Sequence, residues 1–387
     1  MGRRATIVGA GIAGLAAALR LHRQGWDVVV VEHAPSRRSS GYLVNLHGPG
    51  FAAAERLGLL PALTPRDIGF FTSVLVHADG REKFRIPAAV TEAAVGGRAL
   101  SVFRGDLESA LYDAVVEFAD IRFGTTVRAI TQTPGEVEVT LSDDTQLHTD
   151  LLIGADGVHS RVRELVFGTE STYFVDLGHM VGAFALDKPP AHMPDGVGTT
   201  YIGPGRTAAV MNLGPERSSA FFAYRCPDPH ADLALGAAPA LTRAFGDLGG
   251  GVADALDQLD AAPGIAYFDS VGQIVMDRWS RGRIVLLGDA AWCVTVFAGY
   301  GAALALDGAD RLGTALAEHD DIPAALDSWE ATLRPEVHKR QTLARRGIGR
   351  FAPPSRAHVW AGEMMLRAIQ LPGIRSLVQR AIQRANN

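Results

Sequence analysis

The first 32 residues alternate apolar runs with polar or glycine breaks in a way that assigns their elements. Residues 5–8 form a short apolar run of strand length. Residues 15–24 are rich in alanine and leucine at helical spacing and are ended by Gly25, and residues 27–31 form a second apolar run that delivers Glu32. The pattern predicts strand, glycine turn, helix and strand, in that order.

After Glu32 the pattern breaks into the loop "HAPSRRSSGYLVNLHGPGFAAAERLGLL". "TSVLVHADGREKFRIP" then alternates across an Asp79-Gly80 turn, which predicts a hairpin. "SVFRGDLESALYDAVVEF" predicts a helix opening near Arg104, and strands are expected over 136–141 and 146–153. From 173 to 268, short alternating stretches between Gly and Pro turns predict an antiparallel sheet, with helices around 238–245 and 253–259. A strand over 284–287 and a helix from Ala302 follow. Beyond Pro353-Pro354 come two helical pieces split near Pro372-Gly373. The second places Ile374, Leu377, Val378 and Ile382 on one side and Arg375, Arg380 and Arg384 elsewhere, which suits packing on its own protein or a second subunit, with a membrane-surface role as the alternative.

Composition narrows the function. The 387 residues are 47% hydrophobic and 20% charged, enough for a sizeable core. A net charge of -5 with no long basic run argues against nucleic acid as the main partner, and no apolar run is long enough for a membrane span. Cys226 and Cys293 supply neither a disulfide framework nor metal-ligand spacing, which suits a cytoplasmic protein with no metal. The start "MGRRAT" loosely fits a myristoylation or signal sequence, but the glycine pattern that follows explains the apolar stretch better.

That pattern is "GAGIAG". Gly9 permits a tight turn, Gly11 lets the backbone approach a pyrophosphate, and Gly14 lets helix and strand pack closely. The helix start, including Ala13, faces the phosphates, and Glu32, close to the expected spacing of about 20 residues, would accept hydrogen bonds from an adenosine ribose. An acid there disfavours a 2'-phosphate, so the bound dinucleotide is expected to be FAD or NAD. The absence of further strand-helix-strand units after Glu32 argues against a plain Rossmann dehydrogenase.

"GAGIAGL", the helix bearing Arg104, Leu107 and Leu111, "GADGVHSRVR" and "LLGDAA", in this order, resemble the FAD-dependent monooxygenases of the para-hydroxybenzoate hydroxylase type, and within them the branch with tetracycline-modifying and polyketide-tailoring enzymes. The resemblance spans roughly residues 5–345. It implies an α/β fold with a Rossmann-like FAD-binding domain from 1–70, 98–170 and 275–345, an inserted, mostly antiparallel substrate domain from 71–97 and 171–274, and C-terminal helices over 346–387. It further implies FAD contacts from Arg104, Asp156, Asp289, Gly299, Gly301 and Ala302 beside the fingerprint residues. NADPH or NADH would reduce FAD, O2 would add at the flavin C4a carbon, and the resulting hydroperoxide would oxygenate an aromatic or polyketide-like small molecule, in a monomer or homodimer. An oxidase or dehydrogenase on the same scaffold, or a flavin- or ligand-binding protein without turnover, are the alternatives.

Substrate-contacting candidates are less determined, because a one-residue slip exchanges the faces of a strand. Met211, Asn212, Phe221 and Tyr224 are candidates from the middle sheet and His47 from the loop after Glu32, against ordinary packing or solvent exposure for each. In "GDAAWCVTVFAGYG" the family commonly has His where Trp292 stands, Pro at Thr295, and often Gln at Tyr300. Thr295 restores a backbone N-H and adds a hydroxyl, so the cavity wall is expected to be looser or more polar. Trp292 and Tyr300 are read either as replacement bulk or as contacts to substrate or flavin, and no side chain is identified as a catalytic base.

Overall fold

The computed structural model describes residues 2–37, 42–95, 98–214 and 217–369. The basic amphipathic piece expected around Ile374–Ile382 lies outside the described residues. Two sheets dominate. Arg4–Val8 pairs in parallel with Asp27–Glu32 on one side and Leu151–Gly154 on the other, and the sheet continues to Asp120–Phe123 at one edge and to Ile284–Leu286 and Ser280–Arg281 at the other. The central strands are nearly all apolar because both faces are covered, one by helices and the other by a three-stranded sheet whose Val127, Val137, Val139 and Leu141 join the same core, as buried parallel strands require. Helix Ile12–His22 packs on Gly301–Glu318, so the fingerprint helix and the helix after "GDAA" are neighbours across the sheet's carboxyl end.

The second sheet has seven strands, ordered Tyr267–Ile274, Phe174–Leu186, Ser218–Arg225, Arg206–Asn212, Val197–Gly203, Thr72–Val76 and Glu82–Ile86. The hairpin predicted around Asp79-Gly80 therefore joins the strands of the chain's middle, through a parallel pairing of Val197–Gly203 with Thr72–Val76. The register separates its two faces. Met180, Phe184, Ala208, Val210, Ala220 and Phe222 point toward helices Ala237–Phe245 and Gly251–Ala261, while the intervening positions point toward the first sheet's carboxyl edge.

Two expectations are corrected. The single strand predicted over 146–153 is two: Gln146–Thr149 belongs to a three-stranded antiparallel sheet, and Leu151–Gly154 to the parallel one. Asp150 makes the change of sheet, its carboxylate accepting the Arg4 N-H at 2.8 Å. Thr149 Oγ1 donates to the Arg4 carbonyl at 2.9 Å and holds the corner from the other side. The fingerprint helix begins at Ile12 rather than Leu15, since Gly11 already serves as its N-cap.

Candidate functional site

The glycine fingerprint shows why each glycine is needed. Gly9 has φ +106, and a Cβ there would collide with the Ala155 carbonyl. A Cβ at Gly14 would strike the carbonyl of Gly9, so the turn closes only with hydrogen at both positions. A Cβ at Gly11 would meet nothing within 4 Å. The space in front of Gly11 is left for something other than protein, which is what a backbone cradle for a pyrophosphate needs. Gly299, with φ +62, fronts the same kind of open space.

Two adjoining cavities meet at this turn. The larger, of about 360 Å³, is lined by Gly11, Ile12 and Ala13 of the fingerprint, Arg104, Asp289, and Gly299, Gly301 and Ala302. The smaller, of about 190 Å³, is lined by Glu32, Ala34, Ser36, Arg37, Tyr112 and Phe123. Gly11 and Arg104 border both. Helices Ile12–His22 and Gly301–Glu318 both start at the larger cavity, without a capping side chain or an acid in the first turn. Two positive helix ends therefore meet a shared space, an arrangement that favours anions.

Glu32 accepts hydrogen bonds from the N-H groups of Ala10 at 2.8 Å and Ala34 at 2.7 Å, which fixes its carboxylate in the smaller cavity's wall. Each oxygen keeps a lone pair for a hydroxyl donor. The Arg37 guanidinium lies 4.3 Å from the Tyr112 ring centroid, forming a flat platform beside Glu32. Arg104 opens helix Arg104–Val115, where the dipole disfavours a cation, and is held by Glu108 at 2.8 Å and by the Tyr42 hydroxyl. Burial alone would lower its pKa, but Tyr42 and Glu108 outweigh burial and hold it above the ordinary arginine value. Asp289 is open to the cavity but enclosed by protein on its other sides; burial pushes its carboxyl above the usual range, with Arg104 opposing.

Asp156 is committed to the fold. Its carboxylate accepts from Ser160 Oγ at 2.5 Å and from the N-H groups of Arg161 at 2.7 Å and Val162 at 3.0 Å, capping helix Arg161–Val166. Its neighbours Ala155, Gly157 and Val158 line the larger cavity; Asp156 lies just behind them. Arg163 is fully buried, donating to the carbonyls of Ala290 at 3.0 Å and Val158 at 2.7 Å, so it ties "GADG" to "GDAA". His159 bridges layers, with Nδ1 3.0 Å from Glu170 and Nε2 3.2 Å from Asp269 of the seven-stranded sheet. The hydrogen bond to Asp269 leads in pushing its pKa up to about 9.

The opposite wall of the larger cavity is the inner face of the seven-stranded sheet. Of the four candidates there, Met211 and Phe221 line it, with Val181, Ala209 and Val271. Asn212 and Tyr224 do not, because they occupy the alternate positions. Asn212 donates to the Met193 carbonyl at 2.8 Å, and Tyr224 donates to Asp232 at 2.6 Å beneath the covering helices. Trp292 is also withdrawn, packed in a buried cluster with Trp279 and Trp329 at 4.7 and 5.8 Å between centroids. Thr295 lines the cavity, whereas His47 and Tyr300 lie behind it, hydrogen-bonded to one another at 3.0 Å with Arg340 stacked on the Tyr300 ring. Tyr42, Tyr267 and Ser270 line the cavity too. Tyr267 and Ser270 belong to a strand whose register no sequence feature pins.

Thr295 departs furthest from expectation. Its φ of +84 and ψ of +146 lie in a region populated almost only by glycine, and a proline, with φ fixed near -65°, could not take this path. Cys293 also lines the cavity, and burial pushes its thiol well above the ordinary value.

The comparisons with known proteins agree with this arrangement. The family described as "FAD binding domain" matches residues 4–340. An uncharacterized protein of Mycobacterium tuberculosis is 33% identical over 353 residues, covering 90% of this chain and 94% of its own. The FAD-dependent monooxygenase asL4 of Sarocladium schorii is 28% identical, covering 94% and 92%. Among solved structures, Klebsiella pneumoniae HpxO with FAD and uric acid superposes with a TM-score of 0.80 at 25% identity, over 98% of this chain and 97% of that one. The tetracycline destructase Tet(51), at 24% identity, shares the fold with a TM-score of 0.82 over 100% and 98%. The chain belongs to the FAD binding domain family and is a flavin-dependent monooxygenase of the para-hydroxybenzoate hydroxylase type, with FAD as its cofactor.

Proposed function

We propose that the chain catalyses the NADPH- or NADH-dependent insertion of one oxygen atom of O2 into an aromatic or polyketide-like small molecule held in the larger cavity. The observation that carries this reading is a single cavity with two unlike walls: one of glycine backbone, helix starts, Arg104 and Asp289, the other the apolar sheet face of Val181, Ala209, Met211, Phe221 and Val271. The relatives' names point the same way, since one solved neighbour holds uric acid beside FAD and another is named for tetracycline, both ring systems.

When bound, FAD supplies the electron transfer and oxygen activation that no side chain provides. The chain's own residues would hold it. Glu32 would accept the adenosine ribose hydroxyls, and Gly9, Gly11, Ala13 and Gly14 would give the pyrophosphate its turn and helix start. Asp289 would accept hydroxyls further along, with Asp156 setting the "GADG" backbone and Arg104 supplying a fixed positive charge. Gly299, Gly301 and Ala302 would offer N-H groups to negative charge on the reduced ring. Met211, Phe221 and Thr295 would hold a flat substrate against it and exclude water. Both cavities come from one chain, so a monomer or homodimer suffices, and the reductant fits a cytoplasmic setting.

The test is NAD(P)H consumption by the FAD-loaded protein across a panel of phenols and polyketides, with isotopically labelled O2 and mass analysis of products. We expect substrate-stimulated consumption and one labelled atom in the product. Stimulated turnover without label would replace this reading by an oxidase.

A further inference from the structure

Between the short helical turns Asp289–Trp292 and Val296–Ala298 the chain is irregular over 293–295, yet carbonyl oxygens along this stretch are tied to distant elements. Gln341, 3% exposed on helix Ile322–Gly347, donates through Nε2 to the Ile274 carbonyl at 2.7 Å and, less closely, to those of Trp292 and Cys293 at 3.4 Å each. Gln273, fully buried, donates to the carbonyls of Val294 at 3.1 Å and Gln341 at 3.0 Å, and accepts from Arg345 Nε at 2.5 Å. Buried primary amides are costly unless satisfied, and here much of their capacity is directed at one stretch of loop backbone.

That stretch ends at Thr295, a β-branched residue in a backbone region that β-branched residues avoid. Such a conformation persists only where its surroundings over-determine it; here the Cys293 carbonyl accepts from the Ile274 N-H at 3.1 Å as well as from Gln341, and the flanking carbonyls of Trp292 and Val294 are held by Gln341 and Gln273. We infer that Gln341, backed by Gln273 and Arg345, is a positioning residue. It latches the loop so that Thr295 keeps its left-handed backbone and Cys293, Thr295 and Val296 stay in the cavity wall. The amides touch neither cavity; they act through the carbonyls. The inference rests on the larger cavity being the flavin site.

A double-mutant cycle over Gln341→Met and Thr295→Gly tests it, read by FAD dissociation constant, the visible absorption of bound flavin, and the Tm of the apoprotein. Methionine keeps the side chain's bulk and removes its donors; glycine accepts the backbone without strain. We expect Gln341→Met alone to weaken FAD binding about tenfold, the scale of one lost buried hydrogen-bonding group, and to shift the flavin band. In the Thr295→Gly background the same change should cost about threefold or less, because no strained residue remains to be held. Equal losses in the two backgrounds, or no loss with Thr295 in place, overturn the latch. If Gln341→Met does not fold, Arg345→Met, which removes only the far end of the chain of amides, replaces it in the cycle. Wild-type protein that binds no FAD would refute the cofactor site instead, and the apoprotein Tm cycle would still decide the latch.

Discussion

At the scale of single residues, the site separates side chains that face a ligand from those that hold the backbone. Asp289 is open to the cavity and faces Arg104's positive charge without a direct bond to it. Asp289→Asn keeps the shape but loses two acceptor lone pairs and the charge, so FAD affinity should fall about tenfold or more by equilibrium titration, with the apoprotein's Tm nearly unchanged. The sheet gives a sharper contrast. Phe221→Ala opens the cavity wall and should raise KM for substrate or uncouple NAD(P)H consumption from product. Tyr224→Phe, one strand position from the same face's rows but turned to the covering helices, should leave both unchanged and lower stability by about 1 kcal/mol through the lost bond to Asp232. Steady-state kinetics beside thermal unfolding distinguishes the two.

At the scale of elements, His159 joins the loop after Leu151–Gly154 to the strand Tyr267–Ile274 through Asp269. Its folded pKa of about 9 lies above the ordinary histidine value, so its contribution is fully present below about pH 6.5 and is lost as pH rises through about 9. The Tm difference between wild type and His159→Gln should therefore be largest near pH 6 and fade by about pH 10; a difference independent of pH would refute the charged clamp. The elements also show what was readable in advance. The fingerprint, Arg104's helix and the "GDAA" strand were legible because apolar periodicity and obligatory glycines report local geometry. The change of sheet at Asp150 was not, because unbroken alternation through Thr149 hides a corner made by contacts with Arg4, 145 residues away. Nor were the sheet's faces, since alternation shows that Met211 and Asn212 point apart without showing which way.

At the scale of the whole molecule, the cavity sits on the seam between the parallel sheet's carboxyl edge and the inner face of the seven-stranded sheet, where open α/β folds place their ligands. Each layer carries its own apolar core, one around the fingerprint helix and one beneath helices Ala237–Phe245 and Gly251–Ala261. Among the described residues, no helix is long and apolar enough to cross a membrane. The two cavities meeting at Gly11 and Arg104 carry a consequence of their own. A molecule long enough to occupy both binds as two tethered halves, each raising the effective concentration of the other. A fragment filling either cavity alone forgoes that gain, so a nucleotide at hand in the cell competes poorly for a place that the full-length cofactor holds at both ends.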